Sequence, residues 1–263
     1  MKKSILKLAL LTLSTCLSLQ ADESLLYTQN IPLNNSLSTY SSQANTPLQP
    51  FEKELIQYIQ LSVANAENGI SKLTPEVLAI EGMSSSKIRH CLNNLCSYPE
   101  TSYLEIGCWK GSTFISALYK NEIFLHSAFG IDNWSEFGNV KDEFVSNTKT
   151  YLSDVLNDLI TIDCFDFDPQ SLPMPVNIFT YDGEHTVENQ ANAFKRYNEI
   201  LTDTFIAIVD DWNWNMIREG AFKAFDDLNY TVLYEIALPS QEINDKVNWW
   251  NGYYIAVVRK NSP

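Results

Sequence analysis

Two short segments of this sequence carry the side chains best suited to chemistry. Asp182 and His185 lie in the segment YDGEHT, and Asp210 and Asp211 are adjacent in the segment VDDW. Carboxylates from neighbouring strand ends can bind a hard divalent cation such as Mg²⁺, which prefers oxygen ligands. Without a cation, two adjacent aspartates in a cleft repel each other. We therefore predict a Mg²⁺ site formed by Asp182, Asp210 and Asp211. The alternative is a buried cap at Asp210 and a solvated Asp211.

The histidine beside these carboxylates adds a group that titrates near neutrality. An unperturbed histidine has a pKa of about 6.5, which suits removal of a proton from a hydroxyl. His185 is therefore a candidate general base. A further metal ligand, or a histidine at a helix start that only forms hydrogen bonds, are the alternatives.

A second candidate site begins where the apolar run 103–106 ends. Gly107 and Gly111 follow it with Trp109 between them, and Ser112 begins a helical pattern. Glycine permits close approach of a ligand to the backbone, so this strand, turn and helix predict a ligand-binding turn. Ser112, or the threonine after it, could cap the helix. The spacing G-x-x-x-G differs from the dinucleotide fingerprint G-x-G-x-x-G, which disfavours an NAD-dependent oxidoreductase.

Two further strand ends carry acidic residues that could contact a nucleoside. Asp132 follows the next apolar run after Glu105, where a carboxylate can accept both hydroxyls of a ribose. Asp163 follows the third run, where the adenine would lie. A turn or cap role is the alternative for both aspartates. We predict that Trp109 and Trp134 form apolar walls of the pocket, with core packing as the alternative.

These candidates lie at the ends of alternating strands and helices. The predicted strands are 103–107, 128–132, 159–164, 176–182, 204–211, 231–238 and 253–259. The predicted helices of this part are 112–121, 141–158, 187–201 and 216–228. Such alternation predicts a parallel sheet with helices on both faces and ligands beyond the carboxyl ends of the strands. The last two strands form a hairpin. The predicted fold is α/β, a Rossmann-like doubly wound seven-stranded sheet, mostly parallel with an antiparallel C-terminal edge strand.

The N-terminal part of the chain differs in composition from the rest. Residues 1–21 have a basic start, an apolar stretch and Ala21 as a cleavage point, which predicts an export signal and a periplasmic or secreted protein. A spanning helix needs about 20 apolar residues, so no transmembrane span is expected in the mature chain. An uncleaved arm on a cytoplasmic protein is the alternative. Residues 22–50 predict a polar linker or arm, 51–98 an N-terminal helical cap, and 99–263 the Rossmann-like domain.

Charge restricts the class of partner. The formal net charge is -14, and a strongly acidic surface repels phosphate backbones and anionic lipid. We therefore expect a small-molecule acceptor and no nucleic acid. Both a single chain and a homo-oligomer are compatible with the sequence. Cys91 and Cys96 are close enough to pair if the chain is exported.

Four segments together carry a family resemblance: YLEIGCWKGST, GIDNW, YDGEHT and FIAIVDDWNW. They are similar to the class I S-adenosylmethionine-dependent methyltransferases. More narrowly, they resemble the macrocin O-methyltransferase-like branch with its D-G-x-H and D-D-W motifs. The resemblance covers about residues 82–260. It implies S-adenosylmethionine as cofactor, Mg²⁺ bound by the three aspartates named above, and a hydroxyl-bearing acceptor such as a sugar or secondary metabolite.

The resemblance also implies individual roles. Glu105, Gly107 and Gly111 would contact the methionine end of the cofactor and Asp132 its ribose, while Asp182 or His185 would lie near the attacking hydroxyl. Two features depart from the family pattern: many members have G-x-G-x-G in the turn, and the export signal conflicts with a cofactor made in the cytosol. The leading hypothesis is a metal-assisted O-methyltransferase. An exported binding or effector-like protein that uses the same fold as a scaffold is the alternative.

Overall fold

The computed structural model of the chain describes residues 39–40, 47–152 and 158–261. The export-signal prediction for residues 1–21 and most of the predicted arm 22–50 lie outside these residues. Within the described part, no helix is long and apolar enough to cross a bilayer.

Seven helices and eight strands make up the described part of the chain. The strands are β1 (Thr39–Tyr40), β2 (Thr101–Ile106), β3 (Leu125–Ile131), β4 (Asp158–Ile160), β5 (Val176–Tyr181), β6 (Leu201–Val209), β7 (Tyr230–Leu238) and β8 (Tyr253–Lys260). The helices are α1 (Pro50–Glu67), α2 (Pro75–Leu78), α3 (Ser86–Leu95), α4 (Ser112–Leu118), α5 (Lys141–Tyr151), α6 (Val187–Tyr197) and α7 (Asn215–Asp227). Two short 3₁₀ turns, Pro169–Ser171 and Asn198–Ile200, precede β5 and β6.

All strands belong to one sheet with the order β1-β7-β8-β6-β5-β2-β3-β4. The strands β4, β3, β2, β5 and β6 run parallel to one another, whereas β8 runs antiparallel to both β6 and β7. The predicted α/β, mostly parallel, doubly wound sheet is confirmed. The antiparallel C-terminal strand β8 lies inside the sheet, between β6 and β7, and not at its edge. The short β1 then pairs with the outer side of β7.

Helices cover both faces of the sheet, which explains the nearly continuous apolar strands. One apolar core lies between the sheet and α1, α3 and α4, with Ile59, Ile88 and Phe114 fully buried. The other lies between the sheet and α6 and α7, where Phe194 and Phe225 stack edge to face. With both faces covered, the carboxyl ends of the parallel strands are the expected place for a ligand.

Several helix limits differ from the sequence prediction. Helix α4 ends at Leu118, three residues early, because Lys120 adopts a left-handed φ of 57° that ends the helix. Helix α5 ends at Tyr151, and Asp158, predicted as its last residue, begins β4. Ser85 caps α3, since its hydroxyl accepts the amide hydrogen of Ile88 at 3.3 Å. Cys91 and Cys96 are buried free thiols.

Candidate active site

The glycine turn is held directly against the segment that carries Asp182. The amide of Gly107 donates to the carbonyl of Ile131, and the amide of Asp182 donates to the carbonyl of Ile106, both at 2.9 Å. Gly107 has a φ of 89°, and a Cβ added there would overlap the carbonyl oxygen of Asp182. Glycine is therefore required for the ends of β2 and β5 to meet at this distance.

Beneath the turn, Glu105 is buried and engaged within the protein. Thr113 donates to Glu105 Oε1 at 2.7 Å, and the hydroxyl of Tyr103 donates to Oε2. Burial raises the pKa of Glu105 to about 8, and it outweighs the two hydroxyl donors, which favour the charged form. Because both oxygens have protein partners, the side chain supports the turn from below.

Ser112 was predicted as a cofactor contact or a helix cap. The cap of α4 is Gly111, in a left-handed conformation with a φ of 86°, and no side chain caps this helix end. The capping prediction for Ser112 and Thr113 is therefore wrong: Ser112 already lies inside the first turn, and Thr113 bonds to Glu105 instead. The Ser112 side chain faces Gly82.

Asp132 binds the backbone of the turn. Its Oδ2 accepts the amides of Cys108 and Trp109, each at 2.8 Å, and its Oδ1 accepts the amide of Trp134 at 2.6 Å. Three amide donors on one carboxylate fix the path of the turn beside the end of β3. The structure thus gives Asp132 the turn role that the sequence left open, and a ribose hydroxyl there would have to share oxygens with these amides.

The other predicted nucleoside contacts also make hydrogen bonds within the protein. Asp163 accepts the amide of Phe165 at 2.9 Å and the side-chain amide of Asn133 at 3.0 Å. Trp134 is buried in the first core with its ring edge-on to the ring of Phe144, so core packing describes it. Trp109 is only half-buried, and its indole N–H donates to the carbonyl of Phe137 at 3.2 Å.

Across the turn, Asp182, His185 and Asp211 converge from the ends of β5 and β6. His185 Nε2 lies 3.1 Å from Asp211 Oδ2 and 3.5 Å from Asp182 Oδ1. One donor atom from each of the three residues lies within 4.8 Å of the other two. The ring of Trp214, a residue that the sequence did not single out, packs edge-on to His185 with centroids 4.9 Å apart. The arrangement is a compact set of one nitrogen and two carboxylate ligands.

The carboxylates here are short of hydrogen-bond donors. Burial, followed by the charge of Asp182, raises the pKa of Asp211 to about 6, although the nearby Asn251 side chain and His185 act in the opposite direction. Its Oδ1 is buried without a hydrogen bond of standard geometry. Asp211 also has a left-handed φ of 52°, an unfavourable conformation for a residue with a side chain.

Asp210 and His185 respond to the same crowding of negative charge. Burial, with the charges of Asp182 and Asp211, raises the pKa of Asp210 well above its usual range. Burial lowers the pKa of His185, but its hydrogen bond to Asp182 and the surrounding carboxylates reverse that effect and raise it overall. Both shifts favour the protonated form of the side chain concerned.

The donor set suits a divalent cation, with one change from the predicted ligands. The orphaned Asp211 oxygen and the close pair of carboxylates fit a hard cation, and a histidine nitrogen is compatible with several divalent metals. Asp210 is not in this set: its Oδ1 accepts the amide of Asp211 at 2.9 Å. His185, which the sequence offered as a general base or a further ligand, lies in the set with Asp182 and Asp211.

Solved methyltransferase structures are similar to this chain. An O-methyltransferase from Bacillus cereus in complex with SAH is 16% identical, with 84% of this chain and 96% of that chain covered and a TM-score of 0.48. TrmN from Thermus thermophilus is 10% identical, with 71% and 52% covered and a TM-score of 0.47. A candidate RNA methyltransferase from Pyrococcus horikoshii is 12% identical, with 82% and 100% covered and a TM-score of 0.48.

No protein-family profile matches the chain, and no curated protein matches it. The similar structures are methyltransferases with different acceptors, so their likeness does not choose an acceptor for this chain. The function must be argued from the residues of the site.

Proposed function

We propose that this chain is an S-adenosylmethionine-dependent methyltransferase that transfers the methyl group to a hydroxyl oxygen of a small acceptor with the help of a divalent cation. One observation carries the proposal. The Asp182, His185 and Asp211 cluster lies directly beside the glycine turn, since Gly107 packs on the backbone of Asp182. The four motifs of the methyltransferase resemblance therefore meet at one edge of the sheet, where ligands of this fold class bind.

The residues of the chain divide the work in this proposal. The glycine turn would hold the cofactor, which supplies a methyl group already activated as a sulfonium. His185 would take the proton from the acceptor hydroxyl at Nδ1, while Nε2, 3.1 Å from Asp211 Oδ2, would carry the hydrogen that orients the ring. Asp182 and Asp211 would hold the cation, which when bound favours the deprotonated form of a nearby hydroxyl. Precise alignment of the acceptor oxygen with the methyl carbon would supply most of the rate.

A small acceptor is proposed rather than RNA because the net charge of -14 disfavours a phosphate backbone. The macrocin-like branch, with its D-G-x-H and D-D-W motifs, supports a sugar or secondary-metabolite hydroxyl. A filter-binding assay with structured RNA, run beside the acceptor screen, tests this choice. Salt-sensitive RNA binding at physiological ionic strength would argue against the small acceptor.

Calorimetry with cofactor and a transfer assay test the proposal together. We expect binding heat with S-adenosylhomocysteine, and release of that product from a panel of hydroxyl acceptors in the presence of Mg²⁺. Asp182→Ala should abolish turnover while leaving cofactor affinity nearly unchanged. Asp227→Asn, which alters an exposed carboxylate paired with Lys195 and Lys223, is the control and should keep turnover. Absence of binding heat at millimolar ligand would contradict the proposal.

The N-terminal segment favours a second candidate, an exported binding protein that keeps the fold as a scaffold. Mass spectrometry of the mature N-terminus in cell fractions separates the two. Cleavage after Ala21 with secretion would support the second candidate, because the cofactor is made in the cytosol. An intact N-terminus in the cytoplasm would support the methyltransferase.

A further inference from the structure

A buried arginine lies beside the glycine turn without a carboxylate partner. Arg89, on α3, is only 4% exposed, and no ion pair among the described residues involves it. Its Nε donates to Ser84 at 2.9 Å, and its Nη1 donates to the carbonyls of Leu78 and Ile80 at 3.0 and 2.8 Å. A buried cation that has only neutral partners is unfavourable, so this position is suited to an anion.

One nitrogen of this guanidinium is left for a ligand. Among the described residues, Arg89 Nη2 makes no hydrogen bond, and this atom is not fully enclosed by protein. The Ser112 hydroxyl likewise makes no hydrogen bond and is not fully enclosed. Both atoms border Gly82: a Cβ added there would lie 2.6 Å from Arg89 Nη2 and would overlap the Ser112 side chain. Two available polar groups thus lie side by side against Gly82.

A nearby lysine differs from Arg89 because it has carboxylate partners. Lys110, inside the glycine turn, is paired with Glu81 at 2.8 Å and with Glu143 at 2.9 Å. The pair with Glu81 also fastens the segment before α3 to the turn, which places Arg89 at the same site. Lys110 is therefore already neutralised, whereas Arg89 is not.

We propose that Arg89 Nη2 and the Ser112 hydroxyl, which adjoin Gly82, bind the carboxylate of the amino-acid part of the cofactor. This inference rests on the proposed function. The cofactor carries two cationic groups, the sulfonium and the ammonium, and one anionic group. The acidic residues of the site complement the cations and would repel the carboxylate, so the carboxylate needs a cation of its own. A planar guanidinium is the side chain whose geometry best matches a carboxylate.

The test compares two ligands that differ in this one group. S-adenosylhomocysteine has the carboxylate, while S-adenosyl-3-thiopropylamine keeps the adenosine and the amino group and lacks it. By calorimetry, the intact protein should bind the first about 10- to 100-fold more tightly, the size expected for a charged hydrogen bond. In Arg89→Met that ratio should fall to near one, and in Lys110→Met, the matched control, it should persist.

Each result decides the proposal. Equal affinity of the intact protein for the two ligands would overturn it without requiring any variant to fold. A ratio that survives in Arg89→Met would also overturn it. If both ligands bind but only the carboxylate preference is absent, the proposed methyltransferase function stands and this inference fails. If neither ligand binds, both fail.

Discussion

The two halves of the candidate site treat their carboxylates in opposite ways. On the glycine-turn side, Asp132 accepts three backbone amides and Asp163 accepts two donors. On the other side, Asp211 has a buried oxygen without a hydrogen bond, and the pKa values of Asp210 and Asp211 are both raised. In the first half, which we call the scaffold half, the carboxylates accept hydrogen bonds from the protein. In the second half, the cation cluster, the carboxylates are buried close together with few donors.

This difference distinguishes carboxylates that shape the backbone from carboxylates that could bind a ligand. A carboxylate whose oxygens accept protein hydrogen bonds shapes the backbone and gains little from a ligand. A carboxylate that is buried and short of donors costs stability until a cation or proton neutralises it. Acidic residues at five strand ends look alike in sequence, and only their hydrogen-bond partners show which ones are available.

The largest effect is expected where the two halves touch. Gly107→Ala should destabilise the fold by about 2 to 5 kcal/mol. The alanine backbone would have to keep a left-handed φ, and its Cβ would overlap the Asp182 carbonyl oxygen. Gly138→Ala is the matched control: its φ of 85° is similar, but no atom lies within 4 Å of the added Cβ. It should lose only about 1 kcal/mol. Urea unfolding measures both, and equal losses would show that the contact with Asp182 is unimportant.

The pH dependence that Glu105 imposes is comparable in size. Its pKa is about 8 in the folded protein against an ordinary value of 4.5, so the folded state keeps this proton between those values while the unfolded chain loses it. Stability should therefore be complete below about pH 4.5 and fall as the pH rises to about 8, by on the order of 5 kcal/mol at about 1.4 kcal/mol per pKa unit. Glu105→Gln should remove this fall.

An exposed aspartate whose pKa is lowered, not raised, serves as the control. Lys195 and Lys223 lower the pKa of Asp227 to about 2, so its contribution is present at neutral pH and is lost only as the pH falls toward 2. Asp227→Asn should leave the slope between pH 5 and 8 unchanged. If Glu105→Gln also leaves that slope unchanged, the buried carboxyl is not its source.

Sequence periodicity was sufficient for the fold, because burial on both faces of the sheet produces continuous apolar strands separated by amphipathic helices. It was insufficient at the turns. The sequence around Asp132 does not distinguish a carboxylate that accepts backbone amides from one that is free to bind a ribose. The difference depends on the left-handed φ of 43° at Trp109 and 51° at Trp134.

Arg89, the residue of the proposed carboxylate site, escaped the sequence analysis for a related reason. It lies in a helix whose polar residues look like an ordinary solvent-facing pattern, and only the packing of α3 beneath the turn buries it. The sequence offered His185 as a base or a further ligand but could not show that it, and not Asp210, lies with Asp182 and Asp211. That outcome accompanies a φ of 52° at Asp211, which could not be read from an adjacent pair of aspartates.

The cation cluster predicts a response to metal. Mg²⁺ at about one hundred times its Kd should stabilise the protein by about 2.7 kcal/mol through binding to the folded state alone, which a thermal shift assay detects. Asp211→Asn should lose most of this response, and without metal it should be no less stable than the intact protein because a crowded charge is removed. Asp163→Asn should keep the response. A Mg²⁺ shift that persists in Asp211→Asn would place the cation elsewhere.

The smallest effects are expected among the carboxylates of the scaffold half. Asp132→Asn should cost about 1 to 2 kcal/mol, because an amide group cannot accept all three backbone hydrogens that the carboxylate accepts. Asp163→Asn should cost less, about 0.5 kcal/mol, since one of its two donors is a solvent-exposed side chain. Chemical denaturation measures the two losses. Should Asp132→Asn prove as stable as the intact protein, its carboxylate would be available for a ligand, and the contrast between the two halves would no longer hold.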